Sequence, residues 1–582
     1  MSKIEESNTN ISKSKYFMPM ILIIIYIAIA LLISVVVKFS MATDENNAVV
    51  SITDNNGDQA LLNGKYDMAI SEYNSLQQNE QWPIWTLKIG EVYSIQGDYK
   101  KSNEFIQKAY EARNKSIDTQ SAGIEGFEEK DKELAEGIVI NSFINGEYQK
   151  AKEYGEFFLG LYPDDSELLK AMFGVYIANN EKDEAKKIIS NFSEAENDSS
   201  SLITAAKMNL LLKNYEEGLK QIENAYKLDE NNIIILDTID DAAKYNKDTI
   251  IKEINKLKEK DKNNSVYDLF LARVYCSDSA YISKADEIMK KLEEDYAENN
   301  NYLFTKVQMN INQKENKSAE KILDDIMDNN EGTYIAEYAD SLKCYYEKKY
   351  DDAIKAAKRC IYLNKDYLNS YSSLIPSILL GQNKTSEEEP YLRIALTKEP
   401  FNFGNIITIA EYYKDVLQDS SKGLYYYTLA SKINNDNAEI YYKMGLIQYK
   451  NQRIDEAVEF LKNSTSLDKA NPKYFRALGA VYLETGKSEE GINQIRKAYD
   501  IDKEDIATLN DAAYYYIYSE HNVTRAMSNI KAAYEGIDEK TSESEKAIIT
   551  DNYNRIKVLY DSSKKDNSSN KNEIVSEVKL IY

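Results

Sequence analysis

Apolar and polar positions alternate with helical periodicity through most of this chain, and a small residue returns at one phase of that pattern. Ala69, Ser102, Ala151, Ala185, Gly218, Ala285, Ala319, Ala353, Gly423, Ala457, Gly491 and Ala526 stand 33 or 34 residues apart, or at small multiples of that spacing, with occasional insertions. Self-similarity at such a period marks stacked supersecondary units that share one continuous core. The unit is clearest from Tyr474 to Gly486, continuing through Gly491, Ile495 and Ala498. Two stretches break the pattern. Residues 115–131 insert extra length, and Asn231–Asn264 keeps helical periodicity but loses the small-residue signature, which reads as a degenerate repeat.

On these residues the chain resembles the tetratricopeptide repeat family, whose unit is a helix–turn–helix with Leu-Gly-x-x-Tyr in its first helix and a small residue early in its second. With Gly90 at the repeat's eighth position, Tyr93, Gly97, Tyr99, Ser102, Ile106 and Ala109 fall on the other signature positions. Gly57, Gly64, Tyr66, Ala69 and Tyr73 share those phases one repeat earlier, and Gly146, Tyr148, Ala151, Phe158 and Pro163 do so later. The chemistry of the positions is plain. Small residues let two helices approach, bulky ones fill the remaining space, and glycine relieves the turn between them. The resemblance implies an all-α solenoid, a right-handed superhelix of about 13 or 14 helix pairs over residues 51–540. An amphipathic pattern at Ala547, Ile548, Tyr553, Ile556 and Leu559 predicts a capping helix over 541–563. Residues 564–582 read as a flexible tail whose last part, Ile574–Tyr582, turns apolar and suits either docking to a partner or packing back on the solenoid.

Tyr16–Val37 is an uncharged apolar run that a helix would extend to about 33 Å, enough to cross a bilayer core. Lys3, Lys13 and Lys15 precede it and only Lys38 closely follows, so residues 1–15 are expected in the cytoplasm. The repeats then lie outside the plasma membrane, joined by a linker over 38–50. Ser40-Met41-Ala42 carries small residues that a signal peptidase could read. The apolar run exceeds the roughly 7–15 residues of a cleaved leader and favours a retained anchor. Abundant Asn, Lys, Ile and Tyr match AT-rich codons and a low-GC bacterium.

A formal charge of −24 opposes nucleic-acid binding and fits a solvated outer surface. Three cysteines make no CxxC spacing. Cys344 and Cys360 share one repeat's seam, where a disulfide and two buried thiols both fit. His521 is the single histidine and falls in a turn, and neither a phosphate loop nor a zinc spacing occurs. No catalytic residue, cofactor site or metal site is therefore assigned, and the chain reads as a non-enzyme.

Tetratricopeptide arrays bind peptides or proteins on their concave face, and the resemblance places this face at Tyr338, Leu342, Tyr345 and Tyr346. It continues at Tyr442, Leu446, Tyr449 and Lys450, at Arg476 and Glu484, and at Asn510, Tyr514 and Tyr518. Tyrosine and arginine commonly anchor interfaces. The Lys and Asn of the clamp that grips chaperone C-termini are replaced by Tyr442 and Leu446, or by Tyr338 and Leu342. The expected role is a membrane-anchored scaffold for protein partners in a cell-envelope complex. The alternative is a component of an exopolysaccharide synthesis or export system, with tyrosines stacking on sugar. An enzyme acting on envelope polymers is a third class that no motif supports.

Overall fold

The computed structural model describes residues 55–120, 127–193, 198–564 and 578–582. The expected membrane span Tyr16–Val37, the N-terminal 1–15 segment and the 38–50 linker lie outside the described residues. Among the described residues there are 28 α-helices and no strand, and no helix is long and apolar enough to cross a membrane. The helices form thirteen antiparallel pairs, a bent helix that acts as a further pair, and a final helix, Glu543–Lys564.

Local chemistry sets the rhythm. Most first helices of the pairs open on Asx caps. Asp165, Asn299, Asn402, Asn437 and Asp505 each accept a hydrogen bond from a backbone N–H in the first turn of the helix that follows. Most first helices close on a Schellman turn. After Pro83–Gln96, the Gly97 N–H reaches Ser94 O and the Asp98 N–H reaches Tyr93 O, both at 2.9 Å. Gly97 and Gly486 take the left-handed conformation there, with φ of 85° and 78°. Lys213, Lys348 and Gln452 adopt the same conformation at equivalent turns, with φ of 66°, 61° and 61°. The glycine of the repeat is thus favourable at this turn but not obligatory. Its replacement costs about 1–2 kcal/mol of local strain.

The small-residue phase falls on the second helices and is buried at all twelve positions. Its purpose is visible between the helices Pro472–Glu484 and Ser488–Ile501. A Cβ on Gly479 would meet Gly491 O at 3.0 Å, and one on Gly491 would meet Gly479 O at 3.1 Å. Backbone therefore touches backbone, and a methyl group at either site would push the pair apart.

Both departures from the period have structural answers. The insertion near 115–131 lengthens two helices, Tyr99–Gln120 and Phe127–Ile144. They are tied by a buried ion pair, Arg113 to Asp131, which also accepts a 2.6 Å bond from the Tyr162 hydroxyl. The degenerate repeat is one helix, Ile234–Lys260, that breaks at Asn246 (φ −141°, ψ 35°) instead of turning through a loop.

One feature has no trace in the repeat pattern: the array closes on itself. A single core cluster joins residues between Ile84 and Met208 to residues between Leu392 and Ile447. Across this seam Tyr99 stacks on Tyr425 with centroids 4.1 Å apart, Phe173 meets Phe401 edge-on at 5.1 Å, and Lys207 pairs with Glu399 at 2.7 Å. The Tyr425 hydroxyl donates to Ile144 O at 2.7 Å, and Arg393 Nη2 donates to Ser94 Oγ at 3.2 Å.

Stability should follow the helix approach. A Cβ on Gly445 lands 2.7 Å from Leu461 Cγ and 3.2 Å from Ala457 O. Gly445→Ala and Ala457→Leu are each expected to cost about 1–3 kcal/mol. Gly160→Ala, whose Cβ meets nothing within 4 Å, should instead gain about 0.5–1 kcal/mol of helix propensity. Thermal melts followed by circular dichroism should fall for the first two and hold or rise for the third. Unchanged melting of the first two would remove the close-approach account.

Candidate functional site

Closure leaves a central cavity of about 770 Å³. The helix Tyr334–Tyr346 presents Tyr338, Leu342, Tyr345 and Tyr346 to it, and the bent helix presents Asp237, Asp240 and Asp241. Asp240 is held by Arg273 Nε at 2.8 Å. Enclosure pushes the Asp237 carboxyl up to about 7, with Arg273 opposing and Asp240 and Asp241 adding to the rise. Burial likewise pushes Glu388, on the cavity wall, up to about 7. The cavity is thus a mixed tyrosine and carboxylate surface. Among the described residues no group of three or more His, Cys, Asp or Glu side chains is arranged to hold a metal. The three cysteines are free thiols, so Cys344 and Cys360 make no disulfide. Burial pushes Cys276 and Cys360 up to about 12 and keeps both protonated.

A second concave site lies at the far end, where Val578–Tyr582 is docked against the last helix pairs and the final helix. Asn552, on the Glu543–Lys564 helix, reads residue 579 twice. Its Oδ1 accepts from the Lys579 N–H at 2.9 Å, and its Nδ2 donates to the Lys579 carbonyl at 2.7 Å. Asn510 Nδ2 donates to the same carbonyl at 3.0 Å. Asp511 Oδ1 accepts from the Ile581 N–H at 2.9 Å, and the Tyr518 hydroxyl accepts from the Val578 N–H at 3.1 Å. Val578, Leu580 and Ile581 are buried while Lys579 points to solvent. The Tyr582 ring lies 5.2 Å from that of Tyr449, and its hydroxyl donates to Tyr449 Oη at 3.2 Å. These five residues pack back on the solenoid, one of the two outcomes expected for the apolar end of the sequence.

The residues expected to line the groove divide accordingly. Tyr345 and Tyr346 are half-buried on the central cavity, and Tyr338 is wedged between Phe304 and Tyr367. Tyr449, Asn510, Tyr514 and Tyr518 gather around Val578–Tyr582, with Tyr514 and Tyr518 rings 4.3 Å apart. Glu484 receives the Tyr449 hydroxyl. Three residues are placed otherwise. Tyr442 is 7% exposed and packs on Tyr474 beneath Lys473, so it is a core residue here. Arg476 is 6% exposed and its guanidinium binds Asp505 at 2.9 Å, leaving no free cation for a partner. Lys450 is exposed and does not line the central cavity. Asp511 and Asn552 were missed. Asn552 had a readable signal, since it interrupts the stripe Ile549, Ile556, Leu559 on the buried face of the final helix, where a polar residue needs a partner.

Residues 438–471 match the family model of the tetratricopeptide repeat, and they are the helix pair Ala438–Lys450 and Ile454–Leu467. No match is found among curated proteins. Solved structures similar to this chain include the APC/C hetero-tetramer Cut9–Hcn1 (12% identity, 89% of this chain and 94% of that chain, TM-score 0.32). Yeast Tom70 is similar at 16% identity, with 81% and 95% covered and a TM-score of 0.36. Naa15/Naa10 bound to HypK-THB is similar at 11%, with 93% and 96% covered and a TM-score of 0.36. At these identities and scores no partner or role carries across.

Burial also pushes Asp511 up to about 7, with Arg476 opposing. A carboxyl raised in this way stays protonated when folded, while the unfolded chain ionises it near pH 4. The unfolded state loses its proton first, so the contribution to stability is greatest below about pH 4, falls up to about pH 7 and is flat above. From Asp511 and Glu388 the melting temperature is expected to be higher at about pH 5.5 than at about pH 8. Asp511→Asn keeps the acceptor for Ile581 and should weaken this dependence. A slope of unchanged size in the variant would remove Asp511 from the account.

Proposed function

We propose that this chain is a membrane-anchored, non-catalytic scaffold that takes extended segments of protein partners on the concave surfaces of its solenoid. In this reading Tyr16–Val37 is the anchor, residues 1–15 are cytoplasmic, and the solenoid assembles a complex in a bacterial cell envelope. The observation that carries it is the reading of an extended backbone by side chains at Val578–Tyr582. Asn510, Asp511, Tyr518 and Asn552 bind main-chain groups and ignore side-chain identity. Surfaces that satisfy main-chain donors and acceptors while pockets take the side chains are a recurring mode of peptide recognition. The tyrosines of the central cavity add aromatic area with polar tips, which suits protein contact.

The same cavity favours a second reading, a carbohydrate-handling component of exopolysaccharide export, because tyrosine rings beside carboxylates also suit sugar faces and hydroxyls.

Two experiments test these assignments. Protease added to intact wall-stripped cells should remove the solenoid, whereas full protection would invert the topology, and a mature chain beginning near Thr43 would show that the anchor is cut. A photo-reactive residue at Tyr345 or Tyr346 of the full chain should give a discrete protein adduct in membranes. A polysaccharide adduct would establish the second reading, and no adduct at either position would exclude the central cavity as the partner site.

A further inference from the structure

The Val578–Tyr582 groove has properties that ordinary helix packing does not require. Asn510, Asp511 and Asn552 are fully buried, and besides bonding to one another they make four hydrogen bonds to the docked backbone. Without the segment, Asn552 keeps its 2.7 Å bond to Asn510 Oδ1 and Asp511 keeps the 3.0 Å bond from Asn510 Nδ2, while Asn552 Oδ1 loses the Lys579 N–H and Asp511 Oδ1 loses the Ile581 N–H. Buried polar groups left unpaired are costly, so the groove is built around a strand-like chain within it. The side-chain pockets are equally defined. Leu580 enters a cluster with Leu483, Ile492 and Ile495, while Val578 and Ile581 join Ile549, Ile556 and Leu559. Lys579 points outward and imposes no requirement.

We propose that this groove is the receptor for an extended segment of a partner protein, with apolar side chains at its first, third and fourth positions and a tyrosine at its fifth. Val578–Tyr582 is the resident competitor that such a partner displaces. The proposal rests on the protein-binding reading above and names what the partner presents. The fifth position selects tyrosine because the hydroxyl meets Tyr449, whose own hydroxyl is held by Glu484. The second position is free, and the backbone contacts hold the register. A groove filled in cis weakens the apparent affinity for any incoming segment by the fraction of chains in which it is open.

The test uses the full chain and a fluorescent peptide with the sequence of residues 574–582. Leu580→Asp with Ile581→Asp should expel the resident segment by placing charge in two apolar pockets. Lys579→Pro should do so without touching those pockets, by removing the N–H that Asn552 accepts. Either variant is expected to bind the peptide at least about tenfold more tightly than the unaltered chain. Adding Asn552→Leu to either should abolish that gain, and adding Tyr518→Phe should reduce it, with helix content unchanged in both. Equal affinity in the unaltered and expelled chains overturns the proposal, as does absence of binding to expelled chains of normal helix content. A doubled mass of the unaltered chain that reverts in the expelled variants would show exchange between copies and overturn the resident-competitor assignment. Peptide binding without any adduct at Tyr345 or Tyr346 would leave the groove standing and remove the central cavity. An adduct without peptide binding would leave the scaffold standing and remove this groove.

Discussion

The structure depends on the contact of one helix backbone with the next. At Gly479 and Gly491 each Cα lies against the other's carbonyl, and a Cβ on Gly90, Gly218, Gly423 or Gly445 would likewise meet a carbonyl of the paired helix at 3.1–3.3 Å. Such closeness gives dense packing, the main source of stability for a chain whose units cannot bury their own apolar faces. It also makes each pair nearly the same wedge. Wedges stacked at constant angle curve, and a long enough stack returns to its beginning.

That return is what separates this molecule from an open array. The seam between the early helices and residues 389–447 brings together charges that are rarely buried. Arg393 is 2% exposed and Glu389 is 3% exposed, with the Tyr66 hydroxyl donating to Glu389 at 3.1 Å and the Tyr426 ring 6.0 Å from the guanidinium. Arg393 Nε and Nη1 and Glu389 Oε1 have no hydrogen-bond partner. Incompletely satisfied buried charge adds little stability over an apolar pair. Its effect is on register, since a seam slipped by one helix pair would strand both charges. The aromatic contacts across the seam, Tyr99 on Tyr425 and Phe173 on Phe401, supply the adhesion.

Closure and docking produce two concave surfaces of different chemistry. The central cavity gathers Asp237 and Asp241, whose proton affinity is raised by enclosure and, to a smaller extent, by neighbouring carboxylates. The distal groove reads backbone through two amides, a hydroxyl and the Asp511 carboxyl. The first can discriminate by charge and aromatic area, and the second by the shape of an extended chain.

The pattern of residues was sufficient to identify an all-helical array of helix pairs, because these follow from local chemistry repeated at a fixed interval. Asx caps, left-handed turns and small residues at one phase need no knowledge of distant neighbours. The bent helix at Asn246 and the long helices around the insertion were visible as departures from that interval, though their geometry was not. The groove was half legible. Tyr449, Asn510, Tyr514 and Tyr518 carry the repeat's concave phase, but the same phase placed Tyr442 and Arg476 there too. Phase cannot tell a side chain that faces a cavity from one covered by Tyr474 or neutralised by Asp505. The meeting of Asn552 with Lys579, of Arg393 with Ser94 and of Tyr99 with Tyr425 was decided only by tertiary structure. These contacts join residues 27 to 326 positions apart, and their geometry depends on curvature accumulated over many pairs. A small angle per repeat, which no single repeat's sequence encodes, determines where such residues finally stand.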